Sequence, residues 1–189
     1  SACKLAVWRS ISNLLLGQDK ETGAIVASPV RQPRYCCDWP RDGAFFDLAL
    51  DLAGMHDAVD RHLMFYKKTQ RKNRLAFSIA RLASFQFPFY SPAGHWHSNM
   101  NCDGSAGSLK ILPFEIDETS LMVWDIWRHR KYLNADRLDE YRLAFTGTVL
   151  NAMNAILPFV DLKRGRVKRT IEDDDYLAKA TLHGASAVL

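Results

Sequence analysis

Three short acidic stretches carry residues that could do chemistry: Trp39-Pro-Arg-Asp42, Glu115-Ile-Asp-Glu118 and Glu172-Asp-Asp-Asp175. An Arg beside an Asp donates and accepts hydrogen bonds together, which suits a ligand covered in hydroxyls. Aromatic rings such as those of Tyr35 and Trp39 cover the apolar face of a pyranose. Cleavage of a glycosidic bond needs one carboxylic acid to protonate the leaving oxygen and a second carboxylate across the sugar. The acid needs a raised pKa, which burial and neighbouring carboxylates supply. Glu172-Asp-Asp-Asp175 has that like-charge crowding. Each stretch taken alone also reads as an ordinary helix start, because Asp and Glu favour first turns. Brought to one place, the three point to carbohydrate chemistry.

The elements that must position them are helical. Pro40 suits a first helical turn and Gly54 a C-terminal stop. Between them Phe45, Leu48, Ala49, Leu52 and Ala53 fall at helical spacing, and Phe46 and Leu50 make the opposite side apolar. Only Asp47 and Asp51 are charged, so this helix is expected to be buried nearly all round. A second buried helix is expected over 116–130. Ile116, Ser120, Val123, Trp124 and Trp127 form one of its faces, and Leu121, Met122 and Ile126 another. A third is expected over 176–189. Amphipathic helices alternate with them. The first carries Leu5, Trp8, Ser12, Leu15 and Leu16 and ends near Gly17. One over 55–72 has Met55, Val59, Leu63 and Tyr66 on its stripe, with Asp57, Asp60, Arg61, Lys67 and Lys68 wet. One over 136–157 has Leu138, Tyr141, Phe145, Val149, Ala152 and Ile156 on its stripe. Thr22 to Ser28 is short and β-prone, and Pro29 and Pro33 keep the chain extended. Short connections between such helices make antiparallel hairpins. The expected fold is therefore all-α, a partial (α/α)6 toroid of helical hairpins with long irregular loops. Inner helices that run in one direction start at one end of a toroid, so the three acidic stretches converge on one mouth.

About residues 75–113 form a long polar and aromatic stretch, and loops of that length are often functional. His95 and His97 could ligate a metal from one side of a strand. No third ligand accompanies them, so a hydrogen-bonded structural role is expected, with no metal and no cofactor. The net charge of +4 is mild. Basic runs at Lys67-Lys68, Arg71-Lys72, Arg74 and 163–169 come without a nucleic-acid motif and read as solvated turns and helix ends. No apolar run is long enough to span a bilayer. Cys3, Cys36, Cys37 and Cys102 lack paired zinc spacing and read as thiols of a reducing compartment such as the cytoplasm, although a bridge to Cys102 stays open. A chain of 189 residues is enough for one domain. The Ser1 start without a signal pattern and the abrupt apolar end read as a piece of something longer.

Gly23-Ala-Ile-Val-Ala-Ser-Pro-Val-Arg-Gln-Pro-Arg-Tyr35, followed by Trp39-Pro-Arg-Asp-Gly43 and Leu50-Asp-Leu-Ala-Gly54, resembles the glucoamylase-like glycoside hydrolase family 15. Pro113-Phe-Glu-Ile-Asp-Glu-Thr-Ser-Leu121 is similar to its second inner-helix motif. The resemblance implies an (α/α)6 barrel that hydrolyses α-glucosidic bonds from the non-reducing end with inversion. By position, it implies that Arg41 and Asp42 hold the terminal glucose and that Tyr35 and Trp39 line its subsite. Asp117, Glu118 and Asp173 match further acidic positions of the substrate site, and Glu172 matches the general acid. Ile171 stands where the family carries Trp, and Ile111 where fungal relatives carry a subsite Trp. A six-hairpin domain takes about twice this length. The chain is thus expected to be the N-terminal half of the catalytic domain, the rest of the barrel and the general base coming from the same polypeptide. The implied partner is an oligosaccharide or polysaccharide, an α-glucan foremost, with trehalose and dextran also open. A non-catalytic sugar-binding or regulatory domain is the alternative. A helical-repeat interaction module would explain the hairpins but not Trp39-Pro-Arg-Asp42 beside Tyr35.

Overall fold

The computed structural model describes residues 2–30, 35–73, 75–76, 90–107, 114–167, 170–171 and 179–180; the pairs 75–76, 90–91, 170–171 and 179–180 are described by backbone alone. Over these residues the fold is all-α. Its helices are α1 (Ala2–Leu16), α2 (Pro40–Leu52), α3 (His56–Thr69), α4 (Ile116–His129) and α5 (Ala135–Ile156). The strands are two-residue antiparallel pairs. β1 (Leu75–Ala76) joins β2 (Tyr90–Ser91), β3 (Val160–Asp161) joins β4 (Arg166–Val167), and β5 (Thr170–Ile171) joins β6 (Lys179–Ala180).

The stack is built around α2, which packs most extensively on α4; α3 lies against α2, and α5 against α4. Helix α2 starts where Pro40 occupies the first turn behind an extended Trp39. It stops in a Schellman arrangement. The Met55 amide donates to the Leu50 carbonyl (2.9 Å), the Gly54 amide donates to that of Asp51 (3.0 Å), and Gly54 takes φ +78°. The α2–α3 connection is therefore tight, and the two helices form an antiparallel hairpin. Helix α5 starts at Asn134, whose side chain accepts from the Arg137 amide (2.9 Å). Leu50, Val59, Leu63, Tyr66, Trp96, Met100, Met122 and Ile126 anchor the shared core.

Helices α2 to α5 stand where the periodicity predicts them. The faces they bury are another matter. Phe45 and Leu52 of α2 are 54% and 73% exposed, whereas Asp47 and Asp51, its only charged residues after the first turn, are fully buried. The expectation of a helix buried all round is corrected in that respect. Gly43, Ala44, Asp47, Leu50 and Asp51 form the inward stripe, and cationic partners on α3 and α4 make it habitable for carboxylates. Trp127 of α4 is likewise half exposed. The predicted stripe of α1 is not buried either. Ile11 is its one buried residue, while Leu5, Trp8 and Leu16 are exposed, because α1 touches the stack mainly through α2. The helix expected over 176–189 is not what Lys179–Ala180 form, since they pair as a strand with Thr170–Ile171. The remainder of that stretch lies outside the described residues.

The β-prone stretch at 22–28 lies extended beside the entry to α2. Its Ala27 and Ser28 amides donate to the Cys37 and Tyr35 carbonyls, at 2.8 and 3.0 Å. Residues 92–107 form an irregular layer, buried over 94–100 and more open over 101–106, pinned by the Trp96 indole donating to the Tyr66 carbonyl (2.7 Å). Among the described residues no helix is long and apolar enough to cross a membrane.

Candidate active site

The N-termini of α2 and α4 lie at the same end of the stack, and Arg41 joins them. Its guanidinium donates to Glu115, pairs with Asp117 (Nε to Oδ2, 2.9 Å) and lies 3.8 Å from Glu118 Oε1. Arg41 and Asp117 are partly open to water, at 29% and 19% exposure, whereas Glu115 and Glu118 are buried. Among the described residues one cation thus faces three carboxylates, and Asp42 adds a half-buried fourth next to it. Such a rim offers acceptors for hydroxyls. Its negative excess also suits the positive charge that develops on a sugar ring during glycoside cleavage. Tyr35 and Trp39 stand beside it, with ring centroids 5.7 Å apart and planes at 63°.

Of the predicted site residues, Tyr35, Trp39, Arg41, Asp42, Asp117 and Glu118 thus belong to one end of the molecule. Glu172 and Asp173 lie outside the described residues. Glu115, which opens the second acidic stretch but was given no role of its own in the sequence reading, is a direct partner of Arg41 at the N-cap position of α4, two residues before Asp117. Gly43 was also passed over. A Cβ there would collide with the Tyr66 hydroxyl and lie 2.9 Å from His62 Cε1, so only glycine lets α3 approach the α2 entry.

Behind the rim a line of charges runs down the inward face of α2. His62 is fully buried between Asp38 (Nε2 to Oδ2, 2.9 Å) and Asp47 (Nδ1 to Oδ1, 2.8 Å). Burial opposes its positive charge, but Asp47 and Asp38 override that and push its pKa up to about 10. Asp47 also meets Asp125 of α4. Burial and the Asp47 charge hold the Asp125 carboxyl well above the usual carboxylate range. Arg128 then bridges Asp125 (2.6 Å) and Asp51 (2.9 Å). At the far end His129 donates to Asp51 and Asp60, each at 3.0 Å. Burial again opposes the imidazolium, while the bonds to Asp51 and Asp60 raise its pKa to about 9.

His95 and His97 are both held by hydrogen bonds. His95 Nδ1 donates to the Pro92 carbonyl and its ring packs edge-on against Phe114; burial pushes its pKa down to about 4. His97 Nε2 accepts from the Arg71 guanidinium. Among the described residues no group of three or more His, Cys, Asp or Glu could hold a metal ion. The four cysteines are free thiols, so Cys102 bridges neither Cys36 nor Cys37.

No family model matches the chain. It is 42% identical over 129 residues to an uncharacterized glycosyl hydrolase of Methanocaldococcus jannaschii, a match that takes in 68% of this chain and 17% of that protein. The chain therefore spans about a sixth of the length of this curated relative. Solved glycosidase structures share the fold. A wild-type glycosidase superposes with a TM-score of 0.60 at 19% identity over 83% of this chain and 42% of its own. A glycosidase variant in complex with glucose superposes with a TM-score of 0.62 at 19% identity, over 81% of this chain and 40% of its own. At these identities the structural likeness is one of fold.

Proposed function

We propose that the chain is part of a glycoside hydrolase of glucoamylase type, acting on α-glucosidic bonds from the non-reducing end with inversion. The observation that carries this reading is the joining of the two acidic stretches by Arg41, with Glu115, Asp117 and Glu118 around its guanidinium and Tyr35 and Trp39 alongside. The glycosyl hydrolase relative and the glycosidase fold support it. In this reading the described helices are hairpins of an (α/α)6 toroid that further chain of the same polypeptide completes. Arg41 and Asp42 bind the hydroxyls of the terminal glucose, Trp39 and Tyr35 pack on its ring, and Asp117, Glu118 and Asp173 complete the polar rim. Glu172 protonates the leaving oxygen. A carboxylate outside this chain takes the proton of the attacking water, as the opposed pair of an inverting enzyme requires. No cofactor or metal takes part.

The test is glucose release from maltooligosaccharides by the full natural polypeptide, wild type beside Glu172→Gln. Loss of a general acid lowers turnover by roughly 10²–10⁴-fold. Release that survives in the variant moves the acid elsewhere.

One observation favours a second reading, a non-catalytic sugar-binding domain. Ile171, where the resemblance calls for Trp, is held in the β5–β6 pair directly before Glu172. Maltose binding without hydrolysis by the wild type would select it.

A further inference from the structure

Asp38 precedes the aromatic of the site, and its bonds exceed what a helix entry needs. Its carboxylate is fully buried and accepts from three places: the Ile25 amide (2.8 Å), His62 Nε2 (2.9 Å) and the Tyr66 hydroxyl. Its backbone amide donates to the Met100 carbonyl and its carbonyl accepts from the Met100 amide, both at 2.8 Å. One residue thereby ties the extended stretch at 24–27, α3 and the 92–107 layer to the start of α2. It is not the helix cap, because the N-cap position is Trp39, which makes no side-chain cap hydrogen bond.

A buried carboxylate is expensive unless paired and hydrogen-bonded. Holding a helix entry against a core does not require one. The placement of its partners supplies a reason. The same imidazole that bonds Asp38 bonds Asp47, more than one turn into α2. His62 thus grips α2 on both sides of Trp39, Arg41 and Asp42. Rotation of α2 about its axis, or sliding along it, breaks one grip or the other. The Gly43 contact with Tyr66 and His62 leaves no slack between these grips.

We propose that Asp38 is a positioning residue for the candidate sugar site: through His62 and Tyr66 it sets the rotation and height of Trp39, Arg41 and Asp42 against Glu115 and Asp117. Its effect on sugar rests on the function proposed above; its effect on the geometry of α2 does not.

The test uses the full natural polypeptide with Asp38→Asn, Tyr66→Phe and, as a control, Asp51→Asn. Asp51 is equally buried and ion-paired but sits at the far end of α2, away from the sugar rim. Amide hydrogen exchange is followed by peptide at a temperature where all variants are folded, and kcat and KM are measured on maltose. Asp38→Asn is expected to speed exchange in residues 36–46 at least tenfold while leaving 47–56 near wild type, and to raise KM tenfold or more. Tyr66→Phe, which keeps the charge pair, moves both in the same direction by less and decides the matter if Asp38→Asn does not fold. Asp51→Asn speeds exchange around 47–60 and leaves KM unchanged. The positioning role is overturned if Asp38→Asn exchanges like the wild type in 36–46, or if it shifts KM no more than Asp51→Asn does. A wild type that neither hydrolyses nor binds maltose ends the glycosidase reading alone, and the exchange pattern still decides the role of Asp38.

Discussion

Asp42 and Gly43 are neighbours with opposite duties. Asp42 stays half-buried at the rim, where a carboxylate accepting from a sugar hydroxyl contributes about 1.5–3 kcal/mol. On the function proposed above, Asp42→Asn is expected to weaken maltose binding roughly 10- to 100-fold; calorimetric titration checks this, and equal binding would remove Asp42 from the site. Gly43 faces inward. A methyl group there runs into the Tyr66 hydroxyl and the His62 ring, neither of which can retreat without losing Asp38. Gly43→Ala is expected to cost about 1–3 kcal/mol of stability through overpacking. Urea unfolding measures it, and a neutral outcome would mean that α3 is free to move away from the α2 entry.

At the scale of the element, α2 inverts the usual amphipathic arrangement. Its carboxylates point into the stack and Phe45 and Leu52 point out. The inversion holds because α3 and α4 supply His62, Arg128 and His129 at matching heights along α2. Removing one partner leaves buried charge uncompensated, which costs about 3–5 kcal/mol. Arg128→Met removes one of the cations on Asp51, which keeps His129 and His56, and takes from Asp125 its cationic partner. It is expected to lower the urea midpoint strongly, whereas Arg142→Met, at an exposed i, i+3 pair with Asp139 on α5, should change stability by less than about 1 kcal/mol. Similar midpoints for the two variants would show that the buried line contributes no more than a surface pair.

For the molecule as a whole the buried histidines set a pH window. The folded pKa values of His62 and His129 are raised, to about 10 and about 9, from an ordinary value of 6.5. The stability they contribute is fully present below pH 6.5 and is lost as pH rises towards 9–10. Burial and the Asp47 charge hold Asp125 well above 3.8, so its contribution also falls as pH rises from 3.8 upward. Asp51 and Asp60 work in the other direction. Burial alone would raise them, but His129 with its companions His56 and Arg137 holds both below the ordinary 3.8, so their contribution is lost as the solution becomes more acidic than that. Maximal stability is expected between pH 3.8 and 6.5, with a clear fall by pH 9. Unfolding midpoints at pH 5, 7 and 9 check the sign, and a midpoint that rises with pH would contradict the charged state assigned to His62.

The sequence by itself determined the helical class, the positions of α2 to α5 and the chemistry of the rim. Each of these is written locally: Pro40 and Gly54 bracket α2, apolar spacing marks α3 and α5, and Trp39-Pro-Arg-Asp42 sets aromatic, cation and carboxylate side by side. Tertiary structure decided the rest. Periodicity ranks residues by transfer from water, and on that scale Asp47, Asp51 and Asp125 belong outside and Phe45 inside. Their burial follows from partners far away in the chain, such as His62 and Arg128, whose approach no local pattern encodes. For the same reason Asp38 reads as a polar residue before a helix until His62, Tyr66, Ile25 and Met100 are seen to close around it. Pairing energy between distant groups outweighed the local preference of each.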